Sequence, residues 1–211
     1  MSSSPHSAPR DESAAAAVGA DVDSEVAGAL ADYRDHANVA LLHERLAAVM
    51  ERATPEQLAA AIEPFRDVPE AAGYVYEKIV AERPTDARAL VVLANCYWLV
   101  GRGPDVVGEL AARAIAADPA NRGAWHLWAL TESSPRQRTE RWRQVTARFP
   151  EDDLAKANLA DNAASLAGAE HDYQALDLAL DSYEELLARA THPRQRAALE
   201  TAIRTLRGWK F

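Results

Sequence analysis

Apolar residues begin to recur at helical spacing soon after Asp23. Val26, Leu30 and Tyr33 stand four and three residues apart, as do Leu42, Leu46 and Val49, with Met50 beside them. That period marks one face of an α-helix. No sustained alternation of polar and apolar residues is bounded by turn residues, so no strand is expected. The punctuation is clear further on. Thr54-Pro55-Glu56-Gln57 sets a capping threonine before a proline at the first helical position. Asp67-Val68-Pro69-Glu70, Thr85-Asp86, Gly101-Arg102-Gly103-Pro104, Ser133-Ser134-Pro135 and Thr191-His192-Pro193 divide helices in the same manner. The pattern predicts helices over 55–66, 69–82, 86–100, 104–117, 122–132, 135–148, 151–167, 170–190 and 193–208. Whether the chain breaks near His36–Asn38 is left open by the pattern. Residues 1–22, rich in Ser, Ala, Pro, Asp and Gly, show no apolar period and are expected to form a disordered tail. Residues 23–211 are then the helical domain.

Consecutive short helices call for a search for internal periodicity. Prolines follow helices at Pro84, Pro119 and Pro150, at intervals of 35 and 31 residues. Small residues early in alternate helices, Ala94, Ala129 and Ala160, keep the same intervals of 35 and 31. Each is preceded by a large apolar residue: Leu93, Trp128 and Leu159. A small residue there lets a paired helix come close, and Tyr97 and Trp142 are suited to filling the space around the contact.

On these residues the chain resembles the tetratricopeptide repeat (TPR) family, whose unit is two antiparallel helices in about 34 residues. In the stretch from Asp86 to Asn121, Leu93-Ala94 matches the family's Leu-small pair and Tyr97 its tyrosine. Gly101 matches the turn glycine, Ala114 the late alanine, and Asp118-Pro119 the closing Asp-Pro. Ala72, Tyr76 and Pro84 match the half-unit before it, and Trp125, Trp142 and Pro150 the unit after it. The pattern departs in places. The unit from Arg122 to Pro150 is about three residues short, Ala111 and Val107 replace the usual aromatic and alanine, and Lys156 sits where Trp125 would repeat. The resemblance implies an all-α fold, a right-handed α-solenoid of antiparallel helix pairs. Its best repeats cover 69–150, a degenerate fourth reaches about 190, and a capping helix with Trp209 follows at 193–208.

In that family the first helix of each pair lines a concave groove. Carried onto matching positions, the resemblance implies a lining of Arg88, Val91, Val92, Asn95, Trp98 and Leu99 in one unit. His126, Leu127 and Leu130 follow in the next, then Asn158, Asp161 and Ser165. Asn95 and Asn158 stand where some members use asparagine to hold a peptide backbone or its terminal carboxylate. Val91 and Leu154 replace basic residues of that clamp, so carboxylate capture is not expected. A mixed lining suits an extended or helical segment with apolar anchors. The competing reading is that both asparagines bond only neighbouring backbone or solvent. Trp98, beside a core Tyr97, should turn toward the groove or toward the next repeat.

Composition narrows the function further. Hydrophobic residues at 48% and charged residues at 26% fit an ordinary globular protein. A net charge of −9 argues against general attraction to nucleic acid or to anionic membrane. Arg136, Arg138, Arg141, Arg143 and Arg148 form the one basic run, split over two sides of a helix by its buried face and Glu140. A single cysteine, Cys96, excludes an internal disulfide and cysteine-based metal sites. No stretch approaches a membrane span and no apolar leader core is evident, so a cytoplasmic location is expected. The six histidines are scattered without metal-ligand spacing, and no phosphate loop or nucleophile elbow is present. The expectation is therefore a protein without catalysis, metal or cofactor that binds another protein, through a peptide segment or helix, in the TPR-like groove. Self-assembly into a homo-oligomer, or a regulatory subunit touching RNA or phosphate through the arginines, are the alternatives.

Overall fold

The computed structural model describes the backbone of residues 10–211 and the side chains of residues 21–211. Eleven α-helices are present among the described residues, and no strand. They are α1 (Arg10–His36), α2 (Val39–Met50), α3 (Pro55–Ile62), α4 (Pro69–Glu82), α5 (Ala87–Leu99), α6 (Pro104–Ala117), α7 (Arg122–Leu130), α8 (Pro135–Arg148), α9 (Asp153–Glu170), α10 (Tyr173–Arg189) and α11 (Pro193–Arg207). Their beginnings follow the side chains. Proline opens α3, α4, α6, α8 and α11, and polar N-caps stand before most helices. Thr54 closes a full capping box with Gln57. The last turn expected for the first of these helices tightens into a 3₁₀ turn at Glu63–Phe65, where Pro64 cannot donate a ladder hydrogen bond.

The chain divides into two compact units, up to Arg102 and from Gly103 onward. In the first unit α1 packs on α2 and α3, α4 on α2 and α3, and α5 on α4. Its core is Val22, Val26 and Leu30 of α1, Leu42 and Leu46 of α2, Leu58 and Ile62 of α3, Val75 and Ile79 of α4, and Leu90 and Leu93 of α5. The helix α1 begins at Arg10, within the stretch expected to be a tail, and Val22 at the end of that stretch is buried. The run Ala14–Ala17 explains the difference: alanine has the best helix propensity, and it needs no apolar period to continue a helix. The expectation for residues 1–9 lies outside the described residues. The chain does break at 36–38. Ala37 takes a left-handed φ of 51°, its N–H donates to the Tyr33 carbonyl, and Asn38 caps α2 by accepting from the Leu41 N–H at 3.0 Å.

In the second unit each helix from α6 to α11 packs on its neighbours in sequence. Trp142 and Val145 of α8 meet Ala129 of α7 and Ala155 and Leu159 of α9 in one core cluster. A second cluster joins Leu166, Ala167, Leu176 and Ala179 to Leu206 of α11, with Trp209 packed against it. The small positions of the repeat, Ala94, Ala129 and Ala160, are all fully buried. The short unit loses its residues from its first helix, since α7 has 9 residues where α5 has 13. The longer second helix of the last pair is α10, with 17 residues.

Candidate partner-binding site

The helix α5 starts at Asp86, whose carboxylate accepts from the Ala89 N–H at 3.0 Å. Ala89, Leu90, Val92, Leu93, Ala94 and Cys96 face the core. Val92, expected in the lining, is therefore a core residue. A Cβ at Gly73 of α4 would lie 3.3 Å from the Cys96 Cβ, so the two helices approach closely there. Burial pushes the Cys96 thiol up to about 11, which leaves it protonated and unreactive at neutral pH. The opposite face carries Val91, Asn95, Trp98 and Leu99 at helical spacings of four, three and one. Trp98 is 40% exposed and Leu99 66%. Arg88, at the N-terminal end of that face, pairs with Glu63 at 3.2 Å and stays largely in solvent. The Asn95 side-chain amide donates to the Val91 carbonyl at 3.0 Å.

Tyr97 points away from that face toward α4. Its hydroxyl donates to Glu77 at 2.8 Å, and the Arg102 guanidinium lies 4.9 Å from the centre of its ring. Burial first, and the Glu77 bond second, push the Tyr97 phenol up to about 12.

In the second unit Asn121 caps α7, and Ala124, Leu127 and Ala129 form its buried face. Leu127, also expected in the lining, is instead in the core, 5% exposed. With only nine residues, α7 has one stripe with which to hold its neighbours, and Leu127 lies on the same side as Ala124, one turn on. Leu130, 39% exposed, does face solvent. His126 is half-buried and committed elsewhere. Its Nε2 lies 2.7 Å from Asp152 Oδ2, and its ring packs edge-on against Trp142.

Asp152 is the residue that sequence reasoning missed. It is 6% exposed, caps α9 through the Leu154 and Ala155 N–H groups at 3.1 Å each, and ties that cap to α7 through His126. Burial pushes its carboxyl upward, but the Ala155 N–H, His126 and Arg122 outweigh burial and hold it below the usual value. The only signal in the sequence is an aspartate two residues before Leu154, indistinguishable there from an acid favoured by the helix dipole.

On α9 the Asn158 amide donates to the Leu154 carbonyl at 2.9 Å, repeating the Asn95 arrangement. Both asparagines thus bond their own helix through nitrogen. Asp161 accepts from the Tyr183 hydroxyl, Ser165 donates to the Asp161 carbonyl, and Leu154 stands 62% exposed at the start of the helix. The structure brings Val91, Asn95, Trp98 and Leu99 onto one face of α5, and Asn158 and Asp161 onto α9. Each set belongs to its own unit. Among the described residues no group of three or more His, Cys, Asp and Glu side chains is placed to hold a metal, and no helix is long and apolar enough to cross a membrane.

No protein-family model matches the chain, and no curated protein matches it in sequence. Solved structures do match its fold. A MamA protein aligns with a TM-score of 0.57 and 16% identity, over 82% of this chain and all of its own. A thermophilic TPR protein of Thermus thermophilus aligns with a TM-score of 0.53 and 15% identity, over 86% and 98% of the two chains. The fold is that of a tetratricopeptide repeat protein. Pseudomonas aeruginosa pilF aligns with it at a TM-score of 0.51 and 17% identity, over 92% of this chain and 95% of its own. The all-α TPR architecture expected from Leu93-Ala94, Tyr97 and the spaced prolines is thus present.

Proposed function

We propose that this TPR-fold chain is a non-catalytic scaffold that binds a segment of another protein on the outward face of α5. The face around Trp98 carries this reading. An indole 40% exposed and a leucine 66% exposed adjoin Val91 and Asn95, and large exposed aromatics at such positions are typical binding anchors. The Asn95 amide nitrogen bonds within the helix, which leaves its carbonyl oxygen to accept from a partner's backbone N–H. Leu130, Leu154, Asn158 and Asp161 offer a secondary surface in the second unit.

The arginine run does not favour an RNA or phosphate reading, because each guanidinium already has a partner in the chain. Arg136 binds Glu170 and Asp172, Arg138 binds Asn162, Arg141 binds Glu132, Arg143 binds Glu140, and Arg148 reaches the Pro119 carbonyl. A phosphate would have to compete with carboxylates for most of them.

The test is affinity capture with the wild-type chain beside the Asn95→Ala/Trp98→Ala double variant, with helicity checked by circular dichroism. A protein held by the wild type and lost from a fully helical variant is the expected result. Equal recovery by both removes the α5 face from the account.

A further inference from the structure

A second feature of the first unit lies on the other side of α5, where α2, α4 and α5 enclose a half-open recess of about 400 Å³. Its walls are aromatic. His43 of α2 stacks flat on Tyr74 of α4, with ring centres 4.1 Å apart and planes within 8°, and Tyr97 of α5 closes the far side. The His43 Nε2 donates to the Glu70 carbonyl at 3.1 Å, so the stacked pair is fixed in place. Two acidic residues line the recess beside these rings, Glu70 and Glu77, two turns apart along α4. Glu77 holds Tyr97 through one oxygen, and the Glu70 carboxylate makes no hydrogen bond or ion pair among the described residues. Val39 and Val100, 38% and 42% exposed, form apolar shoulders at the mouth.

Arg102 shows what such a recess accepts. Gly101 ends α5 in a left-handed turn, and the Arg102 N–H donates back to the Tyr97 carbonyl, which sets the side chain over the Tyr97 ring. Its guanidinium reaches Glu77 only at 3.5 Å and its side chain is 58% exposed. The contact combines ring face and carboxylate, the two features that recognise a guanidinium, yet it is long and wet and therefore weak. The wider charge agrees. Residues 1–102 hold sixteen Asp and Glu against nine Lys and Arg, a net −7 of the chain's −9, which steers basic segments toward this unit.

We infer that the recess between α2, α4 and α5 binds an arginine side chain presented by a partner polypeptide, with Arg102 as its weak internal occupant. The incoming guanidinium displaces Arg102 from Tyr97, bonds Glu77 and Glu70 together, and places flanking apolar residues on Val39 and Val100. This site shares no residue with the face of Val91, Asn95, Trp98 and Leu99, so either can fail without the other.

The probe is an acetylated, amidated pentapeptide Ala-Leu-Arg-Leu-Ala, titrated into the full chain with the ring signals of His43, Tyr74 and Tyr97 followed by NMR. Saturable shifts confined to these rings are expected. The Arg102→Ala variant should bind several-fold more tightly, because the internal competitor is gone. The citrulline peptide, equal in shape but uncharged, should not bind, and Glu70→Gln/Glu77→Gln should lose the arginine peptide while keeping its fold. No saturable shift in Arg102→Ala, equal binding of the citrulline peptide, or retained binding by the double glutamine variant would each overturn the site. N-acetyl-arginine methylamide binding as tightly as the peptide would overturn its assignment to a partner's chain.

Discussion

Replacing Asp152 should cost the second unit more than any surface charge in the chain. The side chain caps α9 through two backbone N–H groups, and losing such a cap costs about 1 kcal/mol. It also accepts from His126 at 2.7 Å in a setting where only 6% of the residue meets solvent. A hydrogen bond to a charged group is worth about 1.5–3 kcal/mol. Asp152→Ala should therefore destabilise by about 2–4 kcal/mol, or roughly 5–15 °C in melting temperature for a chain of this size. Asp152→Asn keeps a capping oxygen and should cost about half as much. Urea denaturation followed by tryptophan fluorescence reads both variants, and His126→Ala in combination should show a coupling of about 1–2 kcal/mol with Asp152→Ala. The pH dependence is a further check. The carboxyl sits below its ordinary value of 3.8, so its contribution is complete above that value and is lost as pH falls through the lower folded value. The gap between wild type and Asp152→Asn should accordingly narrow in acid. A loss under about 0.5 kcal/mol for Asp152→Ala, or a gap unchanged at low pH, would refute the claim that this carboxylate ties α9 to α7.

Two other outcomes follow from pairs of the same kind. Arg141 pairs with Glu132 at 2.7 Å with side chains 26% and 11% exposed, donates to the Trp128 carbonyl, and lies 4.4 Å from the Trp128 ring centre. Arg141→Ala leaves the Glu132 carboxylate largely buried with the Ser134 N–H at 2.9 Å but without its cation, and should cost about 2–4 kcal/mol in a urea melt, whereas Arg148→Ala should cost less than about 0.5 kcal/mol. Tyr97, raised to about 12 by burial and then by Glu77, adds stability that is complete below its ordinary value of 10.0 and fades as pH rises through about 12. Glu77→Gln should let Tyr97 ionise earlier, which the carbon-13 shift of its Cζ reports. An unchanged titration would mean that burial alone raises it.

Proline, capping residues and helical period carry most of the element boundaries, because they act within one or two turns of chain. The repeat is legible for the same reason. Ala94, Ala129 and Ala160 are small where helices must touch, and all three are fully buried. Local pattern fails where burial or partners are decided at long range. The start of α1 escapes it because alanine extends a helix without an apolar stripe to announce it. The family's groove positions put Leu127 on the surface, but a helix of nine residues needs that side chain for its core. His126 and Asp152 are 26 residues apart, and each alone reads as an ordinary polar residue. The recess of the first unit draws His43, Tyr74 and Tyr97 from three helices, and no spacing in the sequence relates them.

The distribution of committed polar groups decides where a partner gains most. Binding replaces solvent contacts, so a surface residue already bonded within the chain must give up that bond before it can help, while an exposed apolar side chain only loses water. In the second unit His126 holds Asp152 and Asp161 holds Tyr183, so contact with these residues returns little net free energy. On α5, Trp98 and Leu99 give up nothing but hydration, and burying such surface yields about 25 cal/mol per Å². The anchors proposed on α5 are thus the residues least used by the fold. Trp98→Ala should accordingly weaken partner capture while leaving stability nearly intact, whereas His126→Ala should lower stability and leave capture largely unchanged in the fraction that stays folded.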